Sequence, residues 1–251
     1  MTSWRSAVAK PRGIMPLFLG LYLGHVLGDF AFQPGRLVVA KRRGLRGMLV
    51  HTAIIVAGTA IVSIGQLHSR WPAVLLAGIS HFAIEFVTVH ARRVTQATGL
   101  AILTLDQALH LASLVLVATL FGRDSVPVLF TQEVSVRLLA LTCGGLTVAF
   151  MGAILAFEVR TSSHEAARKA AEVLGYDGKR IYGMVERATA FAGAVLAPLP
   201  VVGALAFLPR IAYAMTRPPA TRAQHLTEAA VGLALCTAVW ALLKILTTST
   251  I

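Results

Sequence analysis

The sequence predicts an all-α, polytopic membrane protein with about seven or eight membrane helices and a polar site inside the first four. Its 251 residues are 56% hydrophobic and only 14% charged, and the mean hydropathy is +0.73. A soluble domain is nearer half apolar and about a quarter charged. Several windows of about 20 residues carry almost no charge, and this is the length that crosses the hydrocarbon core of a bilayer. Lys and Arg concentrate between these windows, as they do in the short loops of membrane proteins.

The first half of the chain contains four predicted spans. They cover residues 14–32, 47–64, 71–89 and 101–121. The first span ends at Gln33-Pro34-Gly35, which is a strong helix breaker, and the third begins with Trp71-Pro72, where proline suits a first helical turn. A strongly basic loop is expected after the first span. Residues 1–122 are therefore interpreted as a four-helix membrane core, and residues 123–251 as the remaining helices.

The second half is less regular. A fifth span is predicted over residues 136–157, and residues 163–174 have the pattern of an amphipathic helix at the membrane surface, with a plain solvated connector as the alternative. Prolines interrupt the apolar region 181–215, so two shorter helices that meet near Pro198–Pro200 are expected there. A last span is predicted over residues 226–246.

The net charge of +12 is best explained by the positive-inside rule and not by nucleic-acid binding. The loops after spans one, three and five hold most of the basic residues, which places them on the cytoplasmic side. Membrane lipid is therefore the expected partner, and the oligomeric state stays open.

Cys143 and Cys236 both fall inside apolar spans, where they are expected to be small buried residues and neither a disulfide nor metal ligands.

Seven ionisable side chains interrupt the apolar spans of the first half. Six of them form three pairs with a spacing of four, which puts each pair on one helix face. The set comprises His25 with Asp29, His51 alone, His81 with Glu85, and Asp106 with His110. An ionisable side chain inside a membrane is costly, so such a set indicates a functional site.

The predicted depth of these side chains is shared. At a rise of about 1.5 Å per residue, four of them lie about 7 Å from the cytoplasmic ends of their spans and three lie about 13 Å deep. The upper layer contains Asp29, His51, Glu85 and Asp106, and the lower layer contains His25, His81 and His110. Groups at a common depth on four neighbouring helices predict one site.

Imidazole and carboxylate side chains without a thiolate suit zinc first, and also manganese or iron, and the set is large enough for one or two ions. Gln33 and Gln107 stand where they could orient the ligands. A metal-free polar or proton-relay network is the alternative. Glu186 and Arg187 are interpreted either as an interfacial ion pair or as groups that reach a substrate headgroup.

These residues form a pattern that resembles a known family. The pattern consists of His25-x-x-x-Asp29-Phe30-x-x-Gln33, a basic loop with Lys41, His51, His81-x-x-x-Glu85, and Asp106-Gln107-x-x-His110. It is similar to the bacterial membrane proteins grouped as domain of unknown function 3307. The later helices agree more loosely. The family has Asp where this chain has Glu85, a longer carboxylate that can still bind a metal. The resemblance implies a location in the bacterial cytoplasmic membrane.

The first functional hypothesis is a membrane metalloenzyme that hydrolyses a lipid or lipid-linked substrate with an anionic headgroup at the cytoplasmic leaflet. Glu85 or Asp106 would act as the general base. Cationic residues at the mouth of the site, Lys41 among them, favour an anionic headgroup. The second hypothesis is a transporter of divalent cations or protons that uses the same side chains. The third is a structural protein whose polar core only determines helix packing.

Overall fold

The computed structural model describes residues 14–64, 67–95, 98–122, 132–160, 178–197 and 199–248, and these form an all-α bundle without a strand. The helices are α1 (Met15–Val26), α2 (Gly35–Arg43), α3 (Leu45–Val62), α4 (Leu67–Val94), α5 (Gly99–Phe121), α6 (Gln132–Leu146), α7 (Gly152–Arg160), α8 (Gly178–Leu196), α9 (Pro200–Ala204), α10 (Leu208–Met215) and α11 (Pro219–Thr248). A π-helical turn continues α1 (Leu27–Ala31), and a second one joins α6 to α7 (Thr147–Met151). A 3₁₀ turn links α9 to α10 (Leu205–Phe207). The all-α prediction is confirmed.

The described residues contain five segments that are long and apolar enough to cross a membrane, fewer than the seven or eight expected. They lie in α3, α4, α5, the joined α6 and α7, and α11. The bent pair of α1 and α2 would be a sixth. The count is lower partly because α8 carries four charged side chains near its start and α9 is only one turn long. Several long apolar helices nevertheless indicate a membrane-embedded protein.

The basic segment after the first span is a helix and not the predicted loop. α2 is bent by 95° from the end of α1, and Pro34 precedes its first turn. Extended backbone at Gly44 then reverses the chain into α3. A Cβ at Gly47 would lie 2.3 Å from the carbonyl oxygen of Ala40, so glycine permits the close contact of α2 with α3. The bend between α1 and α2, together with the chain reversal at Gly44, turns Lys41 toward the interior of the bundle.

Helix α1 packs against α3 through glycines spaced four residues apart, an arrangement that lets two membrane helices approach closely. A Cβ at Gly24 would lie 2.6 Å from the Cα of Thr59, and one at Gly28 would lie 2.9 Å from the Cα of Ile55. The contact brings the end of α1 beside the first turns of α3. It thereby places Asp29 near His51.

The region 181–215 is interrupted where the prolines predicted. Helix α8 ends at Leu196, and α9 begins at Pro200 and packs back against α8. A Cβ at Gly203 would lie 2.2 Å from the carbonyl oxygen of Ala190, which shows how closely the two helices approach. The amphipathic helix predicted near residues 163–174 lies outside the described residues.

Candidate metal centre

Four buried side chains from α1, α3 and α4 converge on one point. Each of Asp29, His51, His81 and Glu85 offers one ligand atom, and these atoms lie within 4.8 Å of one another. Nε2 of His51 is 3.2 Å from Oδ1 of Asp29 and 3.1 Å from Nε2 of His81. Ligand atoms around a tetrahedral zinc ion, with bonds of about 2.0–2.1 Å, are about 3.3 Å apart. Two of the distances match this spacing, and all four side chains, called the metal cluster below, lie close enough to surround a single ion.

Local structure determines how these ligands are presented. Asp29 lies in the π-helical turn at the end of α1, and single π-helical turns occur frequently at functional sites. His81 and Glu85 lie one turn apart on the inner face of α4, and both are buried. The cluster thus combines two layers that the depth estimate had separated, because His81 points toward His51 in the upper layer.

Lys41 of α2 lies inside the site and not only at its mouth. Its Nζ is 3.1 Å from Oε1 of Glu85 and 3.8 Å from Oδ1 of Asp29. Oriented to satisfy both neighbours, the Gln33 amide donates to the backbone oxygen of Asp29 (3.0 Å) and accepts from Lys41 (2.8 Å). One ammonium group therefore contacts two carboxylates, which leaves negative charge for a bound cation.

The other predicted ligands, His25, Asp106 and His110, lie beside the metal cluster and not in it. Oδ1 of Asp106 accepts a hydrogen bond from Thr88 (2.8 Å), and Nδ1 of His110 lies 2.9 Å from the backbone oxygen of Asp106. Nε2 of His110 and Nδ1 of His81 are buried without a hydrogen-bond partner in the part of the chain that the structure describes. Such orphaned nitrogen atoms are costly in an apolar interior.

Gln107 lies between the metal cluster and the neighbouring group of His25, Asp106 and His110, and it contacts both. Its Nε2 donates to Oδ2 of Asp29 (3.2 Å) and to Oδ2 of Asp106 (2.9 Å). Its Oε1 lies 3.4 Å from Nε2 of His25. The ring of His110 lies 4.9 Å from the ring of His25, measured between centroids. Gln107 therefore orients a carboxylate on each side, which is the position expected of a residue that supports metal ligands.

The polar site is closed on its deep side by apolar residues. One turn beyond His25, His81 and His110, the same helices bury Leu21, Ala77 and Leu114. These belong to one packed cluster in which every member is at most 5% exposed: Leu17, Leu21, Ala73, Ala77, Leu114, Val117 and Ala118. Beyond the site, α1, α4 and α5 therefore pack through apolar side chains, whereas α3 buries the hydroxyl groups of Thr59 and Ser63.

A cavity of about 90 Å³ reaches the site from the other side. It is lined by side chains of the metal cluster and its surroundings, including Asp29, Gln33, Lys41, Arg42, Glu85, Thr88, Arg92, Asp106, Gln107, Phe157 and Glu158. Ligand pockets for larger organic molecules measure about 300–1,000 Å³. The space therefore suits water and one small polar group.

Two residues of this cavity were missed from the sequence. Thr88 has no ionisable group, so nothing marked it. Glu158 of α7 is buried, and its Oε1 lies 3.5 Å from Nη1 of Arg92. The fifth span is predicted to end at Phe157, which assigns Glu158 to the polar stretch that follows it. The site is thus bordered by α7 and is not confined to the first four spans.

Glu186 and Arg187 lie outside the metal cluster, and they do not form a simple pair with each other. Oε2 of Glu186 accepts from Nε of Arg210 at 2.6 Å. Arg187 donates to the backbone oxygens of Val148 and Ala149, both at 2.8 Å. Both side chains are buried.

Comparison with known proteins finds a similarity over the first half of the chain. Residues 17–137 match the family profile described as a protein of unknown function (DUF3307). No curated protein and no solved structure matches the chain. The matched segment contains all four side chains of the metal cluster as well as His25, Asp106 and His110. The resemblance to this family that the motifs predicted is confirmed over residues 17–137.

Proposed function

We propose that this protein is an integral membrane enzyme of the bacterial cytoplasmic membrane that binds a divalent metal ion, preferably zinc, and hydrolyses a lipid or lipid-linked substrate. The observation that carries the proposal is the spacing of the metal cluster. Two buried imidazole nitrogens, Nε2 of His51 and of His81, face each other at 3.1 Å with Asp29 and Glu85 beside them. A hydrogen bond between these nitrogens needs a proton on one of them, whereas a metal ion binds both through their lone pairs.

The donor set determines the preferred metal. Imidazole and carboxylate groups without thiolate suit zinc, manganese or iron. A divalent ion held there would polarise a carbonyl or phosphoryl oxygen and lower the pKa of a water molecule.

Asp106 is the better candidate for the general base, because Glu85 is already committed to the cluster and to Lys41. Asp106 borders the cavity, and Thr88 and Gln107 orient its carboxylate. In the proposed reaction Asp106 accepts a proton from water, and the water oxygen bonds to the phosphorus or carbonyl carbon. The bond to the alcohol oxygen then breaks, and the departing oxygen takes up the proton from Asp106.

The rim of the cavity favours an anionic headgroup, although the cavity as a whole is lined by three cations and by four carboxylates, Asp29, Glu85, Asp106 and Glu158. Lys41, Arg42 and Arg92 line it, and Arg42 and Arg92 stand at its partly exposed rim. Positive side chains near the cytoplasmic surface of a membrane attract anionic lipids. The transporter hypothesis receives less support because the apolar cluster around Leu21, Ala77 and Leu114 closes the deep side of the site.

The first experiment measures metal content and turnover of the purified protein. Elemental analysis should find about one or two divalent ions per chain, and mass spectrometry should find a hydrolysis product after incubation with a phospholipid extract. His81→Ala should lose the metal and turnover. His90→Ala is the matched control because His90 is exposed on the same helix, and it should keep both.

The Asp106→Asn variant tests the general base separately from the metal ligands. This variant should retain the metal but lose turnover by about a hundredfold or more, the usual contribution of a general base. Full metal occupancy in His81→Ala, or no divalent metal in the wild-type protein, would refute the proposal.

A further inference from the structure

A second and larger cavity lies among α7, α8, α10 and α11. It measures about 750 Å³, within the range of pockets for organic ligands. Four cationic side chains and one carboxylate are among its lining residues, namely Lys179, Arg180, Arg187, Arg210 and Glu228. α7 also borders the smaller cavity through Ile154, Phe157 and Glu158. Both cavities therefore lie toward the same end of the bundle.

Arg187 is held rigidly at this cavity. It is only 3% exposed, and its Nε and Nη2 donate to backbone oxygens of the π-helical turn between α6 and α7, both at 2.8 Å. Burial, with a smaller contribution from the nearby charge of Arg210, lowers the pKa of Arg187 to about 10. The guanidinium group therefore remains charged at neutral pH.

Arg210 is held by two carboxylates. Its Nε donates to Glu186 at 2.6 Å, and its Nη1 donates to Glu228. The ring of Tyr182 lies 5.2 Å from the centre of its guanidinium group. These contacts orient Arg210 and use its Nε and Nη1.

The remaining N–H groups of both arginines meet at Gly183. A Cβ there would lie 3.1 Å from Nη1 of Arg187 and 3.4 Å from Nη2 of Arg210. Among the described residues, neither of these two nitrogen atoms has a hydrogen-bond acceptor. Glycine thus leaves open a small space that two guanidinium groups border, and guanidinium groups bind phosphate through parallel N–H donors.

We propose that this cavity is a binding site for a phosphate group, which Arg187 and Arg210 hold over Gly183. Lys179 and Arg180 add positive charge, so the lining stays cationic after Glu186 and Glu228 are counted. A phosphate offers several acceptor oxygens for these donors. This site is separate from the metal cluster and does not depend on it.

The surroundings favour a phosphate carried by a lipid. Tyr182 and Tyr213 line the cavity and are 48% and 47% exposed. Exposed apolar side chains accompany them on α8 and α10, including Ile181, Val185 and Met215. Half-exposed tyrosines beside apolar residues are typical of the membrane interface, where phosphate headgroups lie.

The test compares two probes on the purified full-length protein in detergent: inorganic phosphate and a short-chain phosphatidic acid, with binding measured by calorimetry. The decisive variant is Gly183→Leu, which fills the space without removing a charge. It should weaken binding by about tenfold or more, the loss expected for one or two hydrogen bonds to a charged group. Ala192→Leu is the matched control, because Ala192 is exposed on the same helix, and its affinity should stay within about twofold.

The two probes distinguish the source of the phosphate. Tighter binding of the lipid, with the same sensitivity to Gly183→Leu, supports a lipid ligand. Equal affinity for both probes supports a phosphate site without lipid specificity. The proposal is overturned if neither probe binds the folded wild-type protein, or if Gly183→Leu, with an unchanged melting temperature, binds both as the wild-type protein does. Arg180→Gln, which removes one charge of the lining, gives an independent check and should also weaken both.

Discussion

The two buried polar groups of this protein differ in the charge of the ligand that their side chains favour. In the metal cluster, ring nitrogens of His51 and His81 face each other and two carboxylates contact one ammonium group. In the second group, called the arginine cluster (Glu186, Arg187, Arg210 and Glu228), N–H donors remain beside those that contact carboxylates and backbone oxygens. Each group is built next to a π-helical turn. We therefore propose a cation as the ligand of the first group and an anion as the ligand of the second.

Removing the central charge of the arginine cluster should have the largest effect on stability. Arg210→Gln leaves Glu186 buried without its partner, and breaking such a pair costs about 3–5 kcal/mol. The free energy of unfolding in mixed micelles measures this. Arg217→Gln is the control, because Arg217 is exposed and its guanidinium group packs over the ring of Tyr213, and it should cost less than about 1 kcal/mol. Equal losses of unfolding free energy in both variants would show that the contacts of Arg210 with Glu186 and Glu228 do not stabilise the fold.

Adding a divalent metal should stabilise the folded protein only when the metal cluster is intact. A ligand present at a hundredfold excess over its Kd stabilises the folded state by about 2.7 kcal/mol. We expect zinc to raise the melting temperature of the wild-type protein and a chelator to reverse the rise. His81→Ala should lose this response, whereas Arg210→Lys should keep it. A response that survives in His81→Ala would place the metal elsewhere.

Widening the contact between α1 and α3 should have a moderate effect on both stability and metal binding. Gly24→Val places a side chain against the Cα of Thr59, 2.6 Å from the position of its Cβ, and overpacking of this kind costs about 1–3 kcal/mol. Metal occupancy should fall because Asp29 moves away from His51. Gly44→Ala, where no atom lies within 4 Å of the added Cβ, should change neither quantity. Unaltered metal content in a destabilised Gly24→Val protein would argue against this coupling.

Much of the metal cluster was predictable because a helix has a constant rise. Counting residues from the span ends placed Asp29, His51 and Glu85 at one depth, and the structure brings these three together. The spacing of four placed His81 on the same face as Glu85. The count could not show that His25, Asp106 and His110 lie beside the cluster, because that depends on the rotation of each helix about its axis.

The sequence alone determined the helical class, the approximate positions of the apolar helices, the break near Pro198–Pro200 and the spacing of the ionisable side chains along their helices. These properties depend on local composition and on helical rise. Only the tertiary structure decided that α2 folds back to place Lys41 between Asp29 and Glu85, that Glu158 borders the cavity, and that Arg187 and Arg210 meet over Gly183. Contacts of this kind depend on helix rotation, bending and close approach, which no single segment specifies.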